Sequence, residues 1–250
     1  EISACLVGSE MCIRDRATKT YADAHGLPYY DFNEASLYST IAYDAAENLL
    51  SHPNYLGAEK VSRYLGAVLA GEYGIAARAD ASYDKSRAVY THAVANITLT
   101  QITDPCEYLN SLQNSAYTIF IFAPKAFSSC ISEGLMNQLF TLGFSTELRE
   151  IPDSYHYCAV NGPDGLTEQL TMEDISFSGS IRGGVTSYRF LIDTSVMVPE
   201  AHTFSLTVDS TECGTQAPGL NLVVYDSDTK SIVDRVNINT TDPALPLTRY

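Results

Sequence analysis

The spacing of apolar positions changes near residue 95. Before that point it is helical. Val61, Tyr64, Leu65, Val68 and Leu69 fall on one stripe of the segment Gly57 to Tyr73, which predicts an amphipathic helix. Thr18 to His25 predicts the end of another helix, closed by Gly26 in the left-handed position that follows a helix C-terminus. Between them, Leu27 to Phe32 (LPYYDF) is short and aromatic and predicts a strand. Ala35 to Leu50 has apolar residues at mixed helical spacing, compatible with a helix or an irregular lobe. Ala76 to Ala95 is polar, with Tyr83 and Tyr90 placed as on one face of a connecting helix.

Beyond residue 95 the period shortens. Ile97 to Ile102 predicts a strand and Asp104 to Leu112 a short helix. Tyr117 to Phe122 (YTIFIF) is a continuous apolar run of the kind buried on both faces of a sheet. Phe127 to Leu142 predicts a helix with Ile131, Leu135, Leu139 and Leu142 on one side. The remainder, HYCAVNGPDG, Leu166 to Met172, ISFSGSI, SYRFLID, TFSLTV, LNLVVYD and SIVDRVNI, consists of short runs separated by Gly, Pro, Asn and Asp at hairpin spacing. The expectation is an α/β portion followed by an α+β, β-rich, sandwich-like domain.

Composition narrows the function classes. With 15 basic and 30 acidic residues the net charge is -15, which disfavours nucleic acid and anionic membrane surfaces, since both need clustered Lys and Arg. A solvated acidic surface accounts for such a balance without any ligand. No apolar run is long enough to cross a bilayer, so no transmembrane segment is expected in this chain. None of the six cysteines forms a C-x-x-C pair, and His156 and His202 lack metal-ligand spacing, so neither metal nor cofactor is expected. The sequence leaves open whether the cysteines are thiols or disulfides.

Leu6 to Arg16 (LVGSEMCIRDR) fits neither a helix stripe nor an alternating strand, and it resembles the in-frame translation of a transposon-type sequencing adapter. Residues 1–16 are therefore set apart. The biological sequence is expected to run from about Ala17, with natural sequence lost upstream.

His52 lies in H-P-N-Y-L-G-A-E-K, a polar stretch just before the amphipathic helix. A histidine there is otherwise an ordinary surface histidine. With Asn54, Gly57, Ala58 and Lys60 it follows H-x-N-x-x-G-A-x-K, and the block resembles the last conserved block of SGNH/GDSL hydrolases. Pro28 to Asn33 resembles the strand leading into that block. The resemblance covers about residues 17–75 and implies the end of a flavodoxin-like three-layer fold. It makes His52 the general base of a serine esterase or O-acyltransferase acting on cell-surface glycan esters, with Asn54 in support. It also implies an extracellular or membrane-anchored location on the outer face of the cell. Two departures matter. The aspartate expected three residues before the histidine is Leu49, and no G-D-S nucleophile block or G-x-N-D block occurs in the chain, so the chain as it stands is expected to be inactive.

Pro218 to Thr240 (PGLNLVVYDSDTKSIVDRVNINT) resembles a block of the interleukin-like EMT-inducer domain, a small β-rich domain of secreted proteins and carbohydrate-processing enzymes. Gly219, Leu220, Asn221, Leu222, Val223, Val224, Asp226, Thr229, Ile232, Asp234 and Thr240 follow the pattern. Lys230 stands where the pattern has glycine, and Ile238-Asn239 where it has Phe-Asp. The run from Tyr117 resembles another part of the same domain, in permuted order. The resemblance implies a glycan- or partner-binding module, with a cell-surface glycan or wall polymer as partner. Asn221, Tyr225 and Asp226 are equally readable as turn and strand residues without a ligand. The expected organisation is then residues 17–75 as the hydrolase-like piece, 76–95 as a helical linker and 96–250 as the accessory domain.

Overall fold

The computed structural model describes residues 9–32, 34–41, 48–49, 52–53, 55–76, 80–124, 131–181, 186–193, 203–240 and 247–250. The chain divides into two compact units, Glu1–Asp84 and Lys85–Tyr250.

The first unit contains helices α1 (Ser9–Ala24), α2 (Ala35–Thr40) and α3 (Tyr55–Gly71), with a minimal hairpin of β1 (Asn48–Leu49) and β2 (His52–Pro53). Helix α1 ends as expected, with Gly26 at φ +62 taking the left-handed turn that a Cβ would penalise. It also extends back to Ser9, through residues with no apolar stripe. From Asp15 to Ala24 only Ala22 is buried. Residues 27–31 belong to no helix or strand, contrary to the strand expected over Leu27–Phe32. Their aromatic rings pack instead: Phe32 meets Tyr64 of α3 edge to face at 5.9 Å, and the Tyr30 hydroxyl donates to Glu72 at 2.8 Å. Of the α3 stripe, Val68 is buried while Leu65 and Leu69 are exposed.

The second unit has three layers. Helix α4 (Asp84–Leu99), entered through a 3-10 turn at Ala81–Tyr83, is followed by α5 (Pro105–Ser111), β3 (Tyr117–Ala123) and α6 (Glu133–Thr141). Strands β4 (His156–Gly162), β5 (Gly165–Thr171), β6 (Ile175–Ile181), β7 (Thr186–Asp193), β8 (Thr203–Val208), β9 (Thr211–Glu212), β10 (Leu220–Asp226), β11 (Ser231–Ile238) and β12 (Thr248–Arg249) complete it. They form two antiparallel sheets, one of six strands in the order β12-β11-β10-β3-β4-β5 and one of four, β6-β7-β8-β9.

The two-residue period of β3 shows why this architecture forms. Tyr117, Ile119, Ile121 and Ala123 point to the helices, joining Leu99, Leu109, Met136 and Leu139. Phe120 and Phe122 point the other way, into a core shared with Phe190, Phe204 and Leu206 of the smaller sheet. A strand apolar on both faces can only be central, flanked by a layer on each side. Its neighbour β10 is buried along its whole length for the same reason.

Other sequence expectations change here. Ile97–Ile102 is not a strand: α4 runs to Leu99, and turns follow. The β-branched residues favour a strand locally, but burial of Leu99 against the large sheet overrides that preference. The two compact units divide after Asp84, so α4 lies in the second unit from Lys85 onwards. The helix expected over Phe127–Leu142 begins at Glu133, where the Ser132 side chain caps it by accepting from the Leu135 N–H. Residues 125–130 lie outside the described residues.

Candidate functional site

A polar cluster of the second unit joins α4 to the end of β10. Asp226 follows Leu220, Leu222 and Val224 on the helix-facing side of β10, so its carboxylate is directed under α4 and is fully buried. His92 and Asn96 are one helical turn apart on α4 and both reach it. His92 Nε2 lies 2.7 Å from Asp226 Oδ2, and Asn96 Nδ2 donates to the same oxygen at 2.8 Å. Thr229 Oγ1 donates to it at 2.8 Å, and the Asp228 N–H donates to Oδ1 at 2.8 Å. Tyr117 closes the cluster by donating to Asn96 Oδ1 at 2.6 Å. Burial pushes the Asp226 carboxyl up, but the hydrogen bonds from Asn96, Asp228, Thr229 and His92 outweigh it and hold the group below its ordinary value.

A buried His–Asp pair invites comparison with a catalytic dyad. The geometry opposes that. Asn114 Oδ1 accepts the Ala116 N–H at 3.0 Å, which fixes the amide and turns Nδ2 towards His92 Nδ1, 3.4 Å away. The remaining imidazole nitrogen therefore meets an amide donor rather than a hydroxyl or thiol. His92, Asp226 and Asp228 also lie close enough to hold a cation. Three groups already converge on Asp226 Oδ2, so a metal bound to that oxygen would have to displace them. The cluster is a hydrogen-bonded network around one buried carboxylate that fastens α4 to the β10–β11 turn.

The residues singled out by the sequence pattern around β10 are interior as well. Asn221 is fully buried, donating to the Ala217 carbonyl at 2.9 Å and accepting from Asn237 at 2.8 Å. Tyr225 is buried, its hydroxyl paired with Thr186 at 2.7 Å. None of these three can meet a ligand from outside. These three residues of the block hold the hairpin together from inside.

Open surface occurs beside the network. A groove of about 400 Å³ runs between the entry to β3, the end of α6 and the β4–β5 turn. Gln113, Asn114, Ser115, Tyr117, Thr141 and Asn161 supply its polar groups. Among the described residues no charged side chain lines it, in a chain of net charge -15. Asn161 is held in place by donating to the Leu142 carbonyl at 2.6 Å. A second depression, about 440 Å³, lies on the outer face of the smaller sheet, where Ser178, Ser180, Ser187 and Thr207 surround Arg189.

The residues expected to carry catalysis are placed only in part. His52 pairs across the β1–β2 hairpin with Leu49, the position where the hydrolase pattern has its aspartate. Asn54 lies outside the described residues. His156 is buried, with its ring nitrogen against the Pro124 carbonyl, and His202 is outside the described residues. Cys106, Cys158 and Cys213 are free thiols, and burial pushes all three upward from the ordinary thiol range. His92 and Asn96 were not singled out in the sequence. Their one-turn spacing on a polar helix is the only local signal they leave, and it gains meaning only from Asp226, more than a hundred residues away.

Among the described residues no helix is long and apolar enough to cross a membrane. Comparison with family models, curated proteins and solved structures found no match to this chain.

Proposed function

We propose that this chain acts through its second unit as a non-catalytic binding module for a neutral, hydroxyl-rich ligand such as a cell-surface glycan. The observation that carries this reading is the uncharged groove of amides and hydroxyls around Asn114 and Asn161. Amide and hydroxyl groups donate and accept at once, which suits a polyol. The His92–Asp226 network beneath it keeps α4 and the β3 entry rigid, so little ordering entropy is lost on binding. The test is a glycan array probed with the full chain and with Gln113→Ala and Ser115→Ala. Retention of neutral glycans by the parent chain and weaker retention by the variants supports the reading. Equal signals from all three chains, or none, contradicts it.

A second reading concerns the first unit. Leu65 and Leu69 on the α3 stripe are exposed, as they would be in a helix taken from a larger layered fold. This favours a parent SGNH-type esterase or acyltransferase with His52 as base. Adapter-free sequencing upstream of this gene tests it, since an in-frame G-D-S block is required. A natural reading frame starting near Ala17 would exclude it.

A further inference from the structure

Strand β6 is the outer strand of the smaller sheet. Among the described residues it pairs with β7 alone, from Ile175↔Ile192 to Ile181↔Thr186 without a bulge. An edge strand offers unpaired N–H and C=O groups to any second strand, and proteins ordinarily guard it with charge, proline, a bulge or short length. The other edges of the second unit are guarded in this way: β9 and β12 have two residues each, and β5 carries Glu168. β6 reads ISFSGSI, seven residues with no charge and no proline. Its two sides are distinct. Ile175 and Ile181 are buried and Phe177 packs against the same core, while Ser176, Ser178 and Ser180 are exposed.

The strand is also close to a palindrome. About Ser178 as centre, Ser176 mirrors Ser180 and Ile175 mirrors Ile181, and only Phe177 and Gly179 differ. A two-fold interface needs a patch that matches itself, and this order supplies one. We infer that β6 is a self-association edge, at which a second copy of this chain adds its own β6 antiparallel and makes the two smaller sheets continuous. Ser178 then lies on the two-fold axis, opposite its own copy. Ile175 meets Ile181 on the core side, and Ser176 meets Ser180 outside. Phe177 falls across from Gly179, whose bare core side Tyr188 already covers, so an aromatic ring meets an aromatic ring. Charge favours the same place: two chains of net charge -15 repel, and β6 lets them meet along seven residues without a carboxylate. A contact of that length falls short of a permanent interface, so the pairing is reversible. It is independent of the groove and of any glycan.

The test is sedimentation velocity of the full chain at protein concentrations from about 10 μM to 1 mM, beside Ser178→Lys and Ser178→Glu. Ser178 is exposed, so neither variant disturbs the core, and an unchanged melting temperature checks this. The parent chain is expected to shift from monomer to dimer as concentration rises. Each variant alone places like charges opposite one another on the axis and should weaken self-association about fivefold to tenfold. An equal mixture of the two variants places lysine opposite glutamate and should restore the dimer, an outcome that only a residue paired with itself can give. A parent chain that stays monomeric throughout overturns the inference. So do variants that associate as the parent does, and so does a mixture that associates no better than either variant alone.

Discussion

His92 Nε2 and Asp226 Oδ2, 134 residues apart in sequence, lie 2.7 Å from each other and join helix α4 to the central hairpin of the large sheet. Removing the carboxylate leaves the donors of His92, Asn96 and Thr229 facing an empty, buried position. Asp226→Ala is expected to lower stability by about 3 kcal/mol, read as a reduced urea midpoint at unchanged slope. The pH dependence has a definite sign. The native carboxyl is held below its unfolded value, so its contribution is complete above the ordinary carboxylate range, about 4, and is lost as pH falls through the depressed native value. Acid titration of stability should therefore be shallower in Asp226→Ala than in the parent chain. Parallel curves would show that another group dominates.

Gly219 is fixed by space as well as by backbone. Its φ is +94, and a Cβ would lie 2.3 Å from the Ile238 carbonyl oxygen across the β10–β11 pair. Gly219→Ala is expected to cost about 2 to 4 kcal/mol, measured by thermal or urea unfolding. An alanine variant as stable as the parent chain would contradict the close approach.

Lys230 presents the converse case. It closes the β10–β11 turn at φ +56, a conformation that a Cβ disfavours and glycine adopts freely. It is also the position at which the resembled pattern has glycine. Lys230→Gly is expected to stabilise the unit by about 1 kcal/mol, and a lower urea midpoint would refute this.

Arg249 closes the other end of α4. Its guanidinium donates to the Leu99 and Ile102 carbonyls at 3.0 and 2.9 Å and to Asp234 at 3.1 Å. It holds the Leu99 carbonyl at the end of α4 and the Ile102 carbonyl of the turn that follows. Arg249→Ala should lower stability by about 2 kcal/mol, and Arg249→Lys should recover only part, because an ammonium cannot span the fork. Full recovery by lysine would mean that charge alone matters.

Much of the second unit was legible in the sequence because its strands carry their burial in their own order. YTIFIF and LNLVVYD are apolar on both faces, and they are the adjacent central strands β3 and β10. Asp104 before Pro105 marks the start of α5, and its carboxylate caps the helix at the Glu107 N–H. Ile97–Ile102 was misread because strand preference is local, whereas the buried position of Leu99 depends on a sheet formed by later residues. LPYYDF was misread for a related reason: its aromatics are used on α3, not in a ladder. The groove could not be read at all. Gln113, Thr141 and Asn161 come from three separate elements, and nothing in their sequence neighbourhoods relates them.

The most direct test of the binding account is calorimetric titration of the full chain with a neutral linear oligosaccharide at low and high salt. A groove without charged walls predicts saturable binding whose affinity is nearly unchanged by salt and is reduced in Gln113→Ala. Absence of binding to any neutral oligosaccharide, or binding abolished by salt and indifferent to Gln113, would contradict it.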